Sequence, residues 1–204
     1  MKKFYDQWWK DGAIGVSNDF KWKWPNIKRT LPKKNSTILD FGCGDGRYIQ
    51  AISDVGTYKM IGADISEYAL KKAKKRFPDV TFYRISGDEK IPVKSNSVDY
   101  VIAGDVIEHI FDARIFLTQM NRILKNGGKI FISTPYHGLI KNIVIALIGF
   151  DIVYEPTTPH IRFFTKKSLI KMVESHGFRV LEYNQYGRIR PLSHGMFVIA
   201  EKIK

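Results

Sequence analysis

The run Ile38-Leu39-Asp40-Phe41-Gly42-Cys43-Gly44-Asp45-Gly46-Arg47 sets two carboxylates around a turn with glycine at every second position. Glycines 42, 44 and 46 let the backbone bend tightly and let a ligand lie against it, because no Cβ intervenes. Asp40 and Asp45 decide what that ligand is. A pyrophosphate wants backbone N–H groups, a helix N-terminus and no nearby anions. A turn framed by two acids suits a ligand carrying positive charge, such as an ammonium or a sulfonium. The spacing agrees. A dinucleotide fingerprint, Gly-x-Gly-x-x-Gly, would need its third glycine at Arg47 or Ile49. This argues against an NAD(P)-dependent oxidoreductase. The set Asp40, Asp64 and Asp88 argues against a non-catalytic cofactor-binding protein.

S-adenosylmethionine carries both cations, and the elements that would present it are legible around the turn. Thr37–Phe41, Tyr58–Ala63, Val80–Arg84, Val98–Ala103 and Lys129–Ser133 read as strands. Gly46–Ser53, Ser66–Phe77, Asp112–Leu124 and Lys166–Ser175 read as helices. Ser66 is placed as an N-cap with Glu67 in the first turn, where the helix dipole favours an anion. Asn126-Gly127-Gly128 reads as a turn, and His176-Gly177 as a helix stop. Two last strands, Arg179–Tyr183 and Met196–Glu201, suit an antiparallel hairpin at the sheet's edge. The alternation predicts a doubly wound, Rossmann-like α/β fold. Its seven-stranded sheet is mostly parallel, with helices on both faces and an antiparallel C-terminal hairpin.

Ligands on such sheets lie at the carboxyl ends of the strands, near the point where strand order reverses. Asp64 closes the second strand, 18 residues past Gly46, and can accept hydrogen bonds from both hydroxyls of a ribose. Ile65 follows it at the same end. Gly87-Asp88-Glu89 follows the third strand. Asp88 can accept from an adenine amino group, while the N–H of Asp88 or Glu89 pairs with a ring nitrogen; turn chemistry alone also explains Gly-Asp.

Three further runs carry a family resemblance: Ser97-Val98-Asp99-Tyr100-Val101-Ile102, Val106-Ile107-Glu108-His109, and Asn121-Arg122-Ile123-Leu124-Lys125-Asn126-Gly127-Gly128. With the glycine turn they resemble the class I S-adenosylmethionine-dependent methyltransferases over roughly residues 36–204. The similarity extends to the quinone-biosynthesis O-methyltransferases and related small-molecule enzymes. It implies that Asp40, Gly42, Gly44, Asp64, Asp88 and Glu89 bind S-adenosyl-L-methionine, and that Gly104 or Asp105 contacts its methionine end. The segments 133–142, 159–165 and Gly177-Phe178 are similar to members acting on small-molecule, lipid or glycan acceptors. Such members build the acceptor pocket in the insertion corresponding to His137–Pro159. Protein and nucleic-acid methyltransferases instead carry added recognition domains, or an Asn/Asp-Pro-Pro-Tyr-like clamp after the fourth strand. No nucleic-acid partner is expected here. In the quinone methyltransferases an apolar segment of this insertion touches the membrane. Ile143–Phe150 is read first as a helix covering the pocket, with peripheral membrane contact through 138–153 as the alternative.

Methyl transfer from a sulfonium demands in-line alignment and exclusion of water. An oxygen acceptor must also lose its proton, and histidine is the natural base. His109, His137 and His160 are the catalytic candidates, with His137 favoured because it directly follows the fifth strand. His176 and His194 read as structural. Asp105, Glu108 and His109 fall at i, i+3 and i+4 and would share a helical face. Some eukaryotic quinone methyltransferases hold magnesium with a comparable set. Here the cluster is read as hydrogen-bonded groups beside the cofactor, without a metal.

The 204 residues carry 33 Lys and Arg against 20 Asp and Glu, a formal net charge of +13. That balance favours anionic partners. The basic residues are scattered, however, as at Lys71, Lys72, Lys74, Lys75 and Arg76, without interleaved aromatics, and read as a solvated surface. Cys43 is the single cysteine, so a disulfide framework and a Cys-rich zinc site are excluded. A reducing, cytoplasmic setting is expected. Residues 4–11 are too polar for a signal peptide. The longest apolar run, 143–150, falls far short of the roughly 20 residues a membrane span needs. Trp8, Trp9, Trp22 and Trp24, with Tyr5 and Phe20, predict an aromatic-rich helical cap over residues 1–35 on a catalytic domain of residues 36–204. A monomer or homodimer is expected.

Overall fold

The computed structural model describes residues 2–12 and 19–203. Seven strands, β1 (Thr37–Phe41), β2 (Lys59–Asp64), β3 (Thr81–Arg84), β4 (Val98–Gly104), β5 (Leu124–Pro135), β6 (Phe178–Tyr186) and β7 (Gly195–Lys202), form one sheet in the order β3-β2-β1-β4-β5-β7-β6. The first five run parallel, and β7 runs antiparallel between β5 and β6. The expected hairpin is present, with its second strand inserted beside β5 and β6 left at the edge. The Asn126-Gly127-Gly128 turn is absorbed into the start of β5. There Gly127 takes φ +75° and the pairing with β4 shifts register between Val98 and Tyr100.

β1 and β4 are nearly continuous apolar runs because helices cover both faces of the sheet. On one face α5 (Ala113–Ile123) and α8 (Lys166–Glu174) bury Phe116, Leu117, Leu169 and Val173 against Leu39, Val101 and Val198. On the other, α3 (Arg47–Ser53) and α4 (Glu67–Arg76) bury Ile49, Ile52 and Leu70 against Ile38, Tyr100 and Phe131. Ile27 of α2 (Phe20–Thr30) belongs to that second core, so the cap is rooted in the body of the molecule. Truncating a ring such as Phe116 to alanine would cost about 3–5 kcal/mol.

Local chemistry fixes the helix starts. The Ser66 hydroxyl accepts from the Ala69 N–H at 3.2 Å, and Asp112 accepts from the Arg114 N–H at 2.9 Å. Thr165 and Ser168 cap α8 reciprocally. α1 (Lys2–Lys10) lies across the start of α4, where Asp6 accepts from the Ser66 hydroxyl and the Tyr68 N–H. After β5 come α6 (Leu139–Ile148) and α7 (Phe150–Val153). Among the described residues, no helix is long and apolar enough to cross a membrane.

Candidate active site

Strand order reverses between β1 and β4, and a cavity of about 430 Å³ opens at their carboxyl ends. Its floor is the glycine turn. Gly42, Gly44 and Gly46 adopt φ of +78°, +53° and +91°, a region that side chains disfavour. A Cβ on Gly44 would lie 2.6 Å from the Trp9 ring, so the turn and the roof meet face to face.

Asp64 holds that turn. Its Oδ2 accepts from the Gly44 N–H and its Oδ1 from the Ser66 N–H, both at 2.8 Å. Each oxygen keeps a further lone pair for a ligand hydroxyl. Asp88 lines the cavity and accepts from the Ser86 hydroxyl at 2.6 Å. Asp40 is buried beneath the floor rather than in the cavity wall, and its Oδ2 has no hydrogen-bond partner. Burial, then the charge of Asp64, push its pKa up to about 8. A cation on the turn would reverse that shift.

The roof comes from the N-terminal helices. Tyr5, Trp8 and Trp9 of α1 and Phe20 of α2 line the cavity, and the Phe20 ring packs on Tyr48 at 5.3 Å. Lys23 stands among these aromatics at 2% exposure, with its ammonium on the Asp105 carboxylate. Asp105 takes φ +56°, and its Oδ1 also accepts from the hydroxyls of Ser133 and Tyr186. The expected shared helical face does not form, because only Ile107–His109 are helical, as a single 3-10 turn.

His109 and His160 stand at one end of the cavity, their rings 4.8 Å apart. Burial pushes the His109 pKa down to about 4, partly opposed by the Pro159 carbonyl at Nδ1. Burial likewise lowers that of His160, opposed by Asp105. Both rings are neutral at pH 7. Glu108 is wholly buried; burial, then the charge of Asp105, push its pKa well above the usual carboxylate range, partly opposed by the Thr134 hydroxyl.

These features match a known family. The profile of a methyltransferase domain matches residues 21–183. The chain belongs to that family. A protein named as an S-adenosylmethionine-dependent methyltransferase in Mycolicibacterium smegmatis is 32% identical over 143 residues, covering 70% of this chain and 52% of that protein. This chain thus spans about half the length of that relative. The ubiquinone biosynthesis O-methyltransferase of Coxiella burnetii is 25% identical over 195 residues, covering 89% of this chain and 82% of that protein. Among solved structures, the methyltransferase complexed with the Haloferax volcanii Trm112 activator superposes with a TM-score of 0.83 at 15% identity, covering 98% and 96% of the two chains. An S-adenosylmethionine-dependent methyltransferase of Mesorhizobium loti gives 0.71 at 19% identity, over 88% and 97%. The structural likenesses show the fold, and the family carries S-adenosylmethionine as its cofactor.

This methyltransferase has residues that fit that cofactor: an orphaned Asp40 oxygen under a turn with glycine at 42, 44 and 46, spare lone pairs on Asp64, and a buried cation at Lys23. Of the cofactor-binding expectations, Gly42, Gly44, Asp64, Ile65, Asp88, Gly104 and Asp105 line the cavity. Glu89 does not: it pairs with Lys2 at 2.8 Å and faces solvent. Of the histidines, His109 and His160 line it and His137 does not. His137 is buried with Nδ1 3.2 Å from Asn142 Oδ1 and its ring edge-on to Phe163. Its N–H is fastened to the Phe164 carbonyl at 3.0 Å, which fits a role in joining the insertion to the sheet. The insertion 138–159 contributes nothing to the cavity wall, and α6 does not cover the pocket. Sequence reasoning also missed Lys23 and Tyr48. Nothing in Phe20-Lys21-Trp22-Lys23-Trp24 distinguishes the buried lysine from its exposed neighbour.

Proposed function

We propose that this methyltransferase moves a methyl group to a hydroxyl of a small-molecule, lipid or glycan acceptor. The carrying observation is the pair of neutral imidazoles, His109 and His160, facing the cofactor cavity. The cofactor supplies an electrophilic methyl on a sulfonium. The chain's own residues do the rest. Asp64 takes the ribose hydroxyls, Asp88 the adenine amino group, and Lys23 the carboxylate of the methionine end. Gly104 and Asp105 lie beside its ammonium. Tyr5, Trp8 and Trp9 close the roof and keep water from the reacting atoms. His160, or His109 through its Nε2, receives the proton of the acceptor hydroxyl. The curated relatives named as ubiquinone biosynthesis O-methyltransferases support an oxygen acceptor.

The apolar side chains of the insertion support a peripheral membrane contact through 138–153. Leu139, Ile143, Leu147, Ile148 and Ile152 are each at least half exposed. Lys141 reaches the carbonyls of Ser193 and His194, which sets the loop bearing Arg188, Ile189 and Arg190 beside α6. Exposed apolar groups rimmed by basic ones suit an anionic bilayer surface.

The test is methyl transfer from labelled cofactor to a panel of catechols, prenylated phenols and glycolipids, with product analysis. A methyl ether is expected, and His160→Ala should slow its formation about 10²–10⁴-fold if the imidazole is the base. Efficient labelling of tRNA or of a protein lysine instead overturns the acceptor class. Flotation with vesicles of anionic lipid, but not of neutral lipid, checks the membrane contact.

A further inference from the structure

We propose, on the reading that Lys23 meets the methionine carboxylate and Asp105 lies beside its ammonium, that Tyr186 and Ser133 are positioning residues. They hold Lys23 and Asp105 as a preformed receptor for a zwitterionic α-amino acid end, so that the cavity selects a ligand bearing both charges.

Lys23 comes from α2, Asp105 from the turn after β4, Ser133 from β5 and Tyr186 from the end of β6. Asp105 Oδ1 accepts from the Ser133 hydroxyl at 2.8 Å and from the Tyr186 hydroxyl at 3.3 Å. Its Oδ2 takes the Lys23 ammonium. Two donors on one oxygen fix the rotation of the carboxylate and so direct the other oxygen. The backbone is fixed as well. The Asp105 N–H donates to the Ser133 carbonyl and to the Ser133 hydroxyl, both at 3.1 Å, and this holds a left-handed φ that residues other than glycine rarely take.

Tyr186 is held in its turn. Its ring lies over Gly195, the cross-strand neighbour on β7, where a Cβ would come within 2.3 Å of the ring. Lys23 Nζ stands 5.6 Å from the ring centroid, so the side chain that donates to Asp105 also backs the ammonium. Burial, then the charge of Asp105, raise the Tyr186 pKa, which keeps the hydroxyl protonated and a donor.

The pair is only half satisfied. A lysine ammonium carries several donors, and a carboxylate oxygen accepts more than one hydrogen bond. Among the described residues, Asp105 is the one side-chain hydrogen-bond partner of the buried Lys23 ammonium. Both residues line the cavity. An α-amino acid end offers its carboxylate to Lys23 and its ammonium to Asp105, and would supply each with the second partner that a buried charge requires. A ligand lacking that end leaves both unsatisfied, which is how a polar site rejects an incomplete ligand.

The test compares, by calorimetry, S-adenosylhomocysteine with 5′-methylthioadenosine, which lacks the amino acid end. Tyr186→Phe keeps the ring on Gly195 and removes the hydroxyl. It should weaken S-adenosylhomocysteine binding about three- to tenfold. Binding of 5′-methylthioadenosine should stay at the wild-type affinity, which also shows the cavity intact. Ser133→Ala should act in the same direction. In an Asp105→Ala background, Tyr186→Phe should add no further loss, because the group it positions is gone. Equal losses for both ligands, or full additivity with Asp105→Ala, overturn the positioning role. So does unchanged S-adenosylhomocysteine affinity in Tyr186→Phe when Lys23→Met and Asp105→Ala each lose it selectively. If Lys23→Met and Asp105→Ala show no selective loss themselves, the reading of the amino acid end is overturned, and the positioning role falls with it.

Discussion

Asp6 on α1 accepts the hydroxyl hydrogen of Ser66 at 2.8 Å, and Ser66 is the residue whose oxygen caps α4. One carboxylate oxygen thus binds the roof of the cavity to the helix that follows the strand ending in Asp64. The same oxygen accepts from the Tyr68 N–H at 3.1 Å, while Arg84 holds the other at 2.9 Å. An anion at a helix N-terminus is also favoured by the helix dipole. Burial acts to raise the Asp6 pKa, but these hydrogen bonds and the Arg84 charge hold it below the usual carboxylate range. Its contribution is therefore present at neutral pH and lost as pH falls through that lowered value.

Asp6→Ala should release α1 from the cavity mouth. The expected result is faster dissociation of S-adenosylhomocysteine, by about tenfold, with the α/β core still folded. Stopped-flow tryptophan fluorescence reads this directly, because Trp8 and Trp9 line the cavity. A dissociation rate equal to wild type would show that α1 does not gate the site.

Asp64→Ala should weaken cofactor binding about tenfold to a hundredfold, the range for losing a charge-assisted hydrogen bond of roughly 1.5–3 kcal/mol. The same change removes the acceptor of the Gly44 and Ser66 N–H groups, so Asp64→Asn is the sharper probe. Asparagine keeps an acceptor oxygen for one of the two donors. Calorimetry on both variants should rank affinity as wild type, then asparagine, then alanine.

How much of this was legible in the residues? The sheet and its order of elements were, because apolar strands alternate with helices along most of the chain, and Ser66, Asp112 and Thr165 each start a helix through a local hydrogen bond. The glycine turn and Asp64 were too, because their spacing is short-range. The histidine base was harder. Position after a strand suggested His137, but the N–H bond to Phe164 and the contact with Asn142 turn that ring into the insertion. His160 reaches the cavity through a loop of irregular backbone, which has no period to read. Asp105 misled for a similar reason: a residue at φ +56° does not continue the helical face that its spacing implies. Ile143–Phe150 read as a pocket cover by hydrophobicity alone, and only the tertiary structure shows most of those side chains facing outward.

Lys23→Met should separate the two ends of the cofactor. The buried ammonium lies against Asp105, whereas Asp88 is the residue proposed for the adenine amino group. S-adenosylhomocysteine, with a carboxylate, should bind about tenfold to a hundredfold more weakly to the variant. Adenosine, which lacks it, should bind as it does to wild type. Competition binding with both compounds checks this, and an equal loss for both would remove Lys23 from the carboxylate-binding role.

Cofactor binding should release a proton, and Asp40 is its source. Burial and the neighbouring Asp64 push the Asp40 pKa up to about 8 in the free protein, so below that pH the group is protonated. Its other titratable neighbours, Cys43 in the turn and Tyr48 on α3, have pKa values raised well above their usual ones, chiefly by burial, and stay neutral. A sulfonium and an ammonium above the turn favour the carboxylate and pull the pKa down. Affinity should therefore rise with pH up to about 8 and level off above it. The same raised value works in the opposite direction on the free fold: Asp40 is better protonated folded than unfolded, so its contribution to stability falls as pH rises from about 4 to about 8. Calorimetric titrations at pH 7 in two buffers of different ionisation enthalpy should differ by the enthalpy of the released proton. Asp40→Asn should abolish that difference and flatten the pH dependence of affinity. A buffer-independent binding enthalpy in wild-type protein at pH 7 would show that Asp40 is already ionised, or does not sense the cofactor's charge.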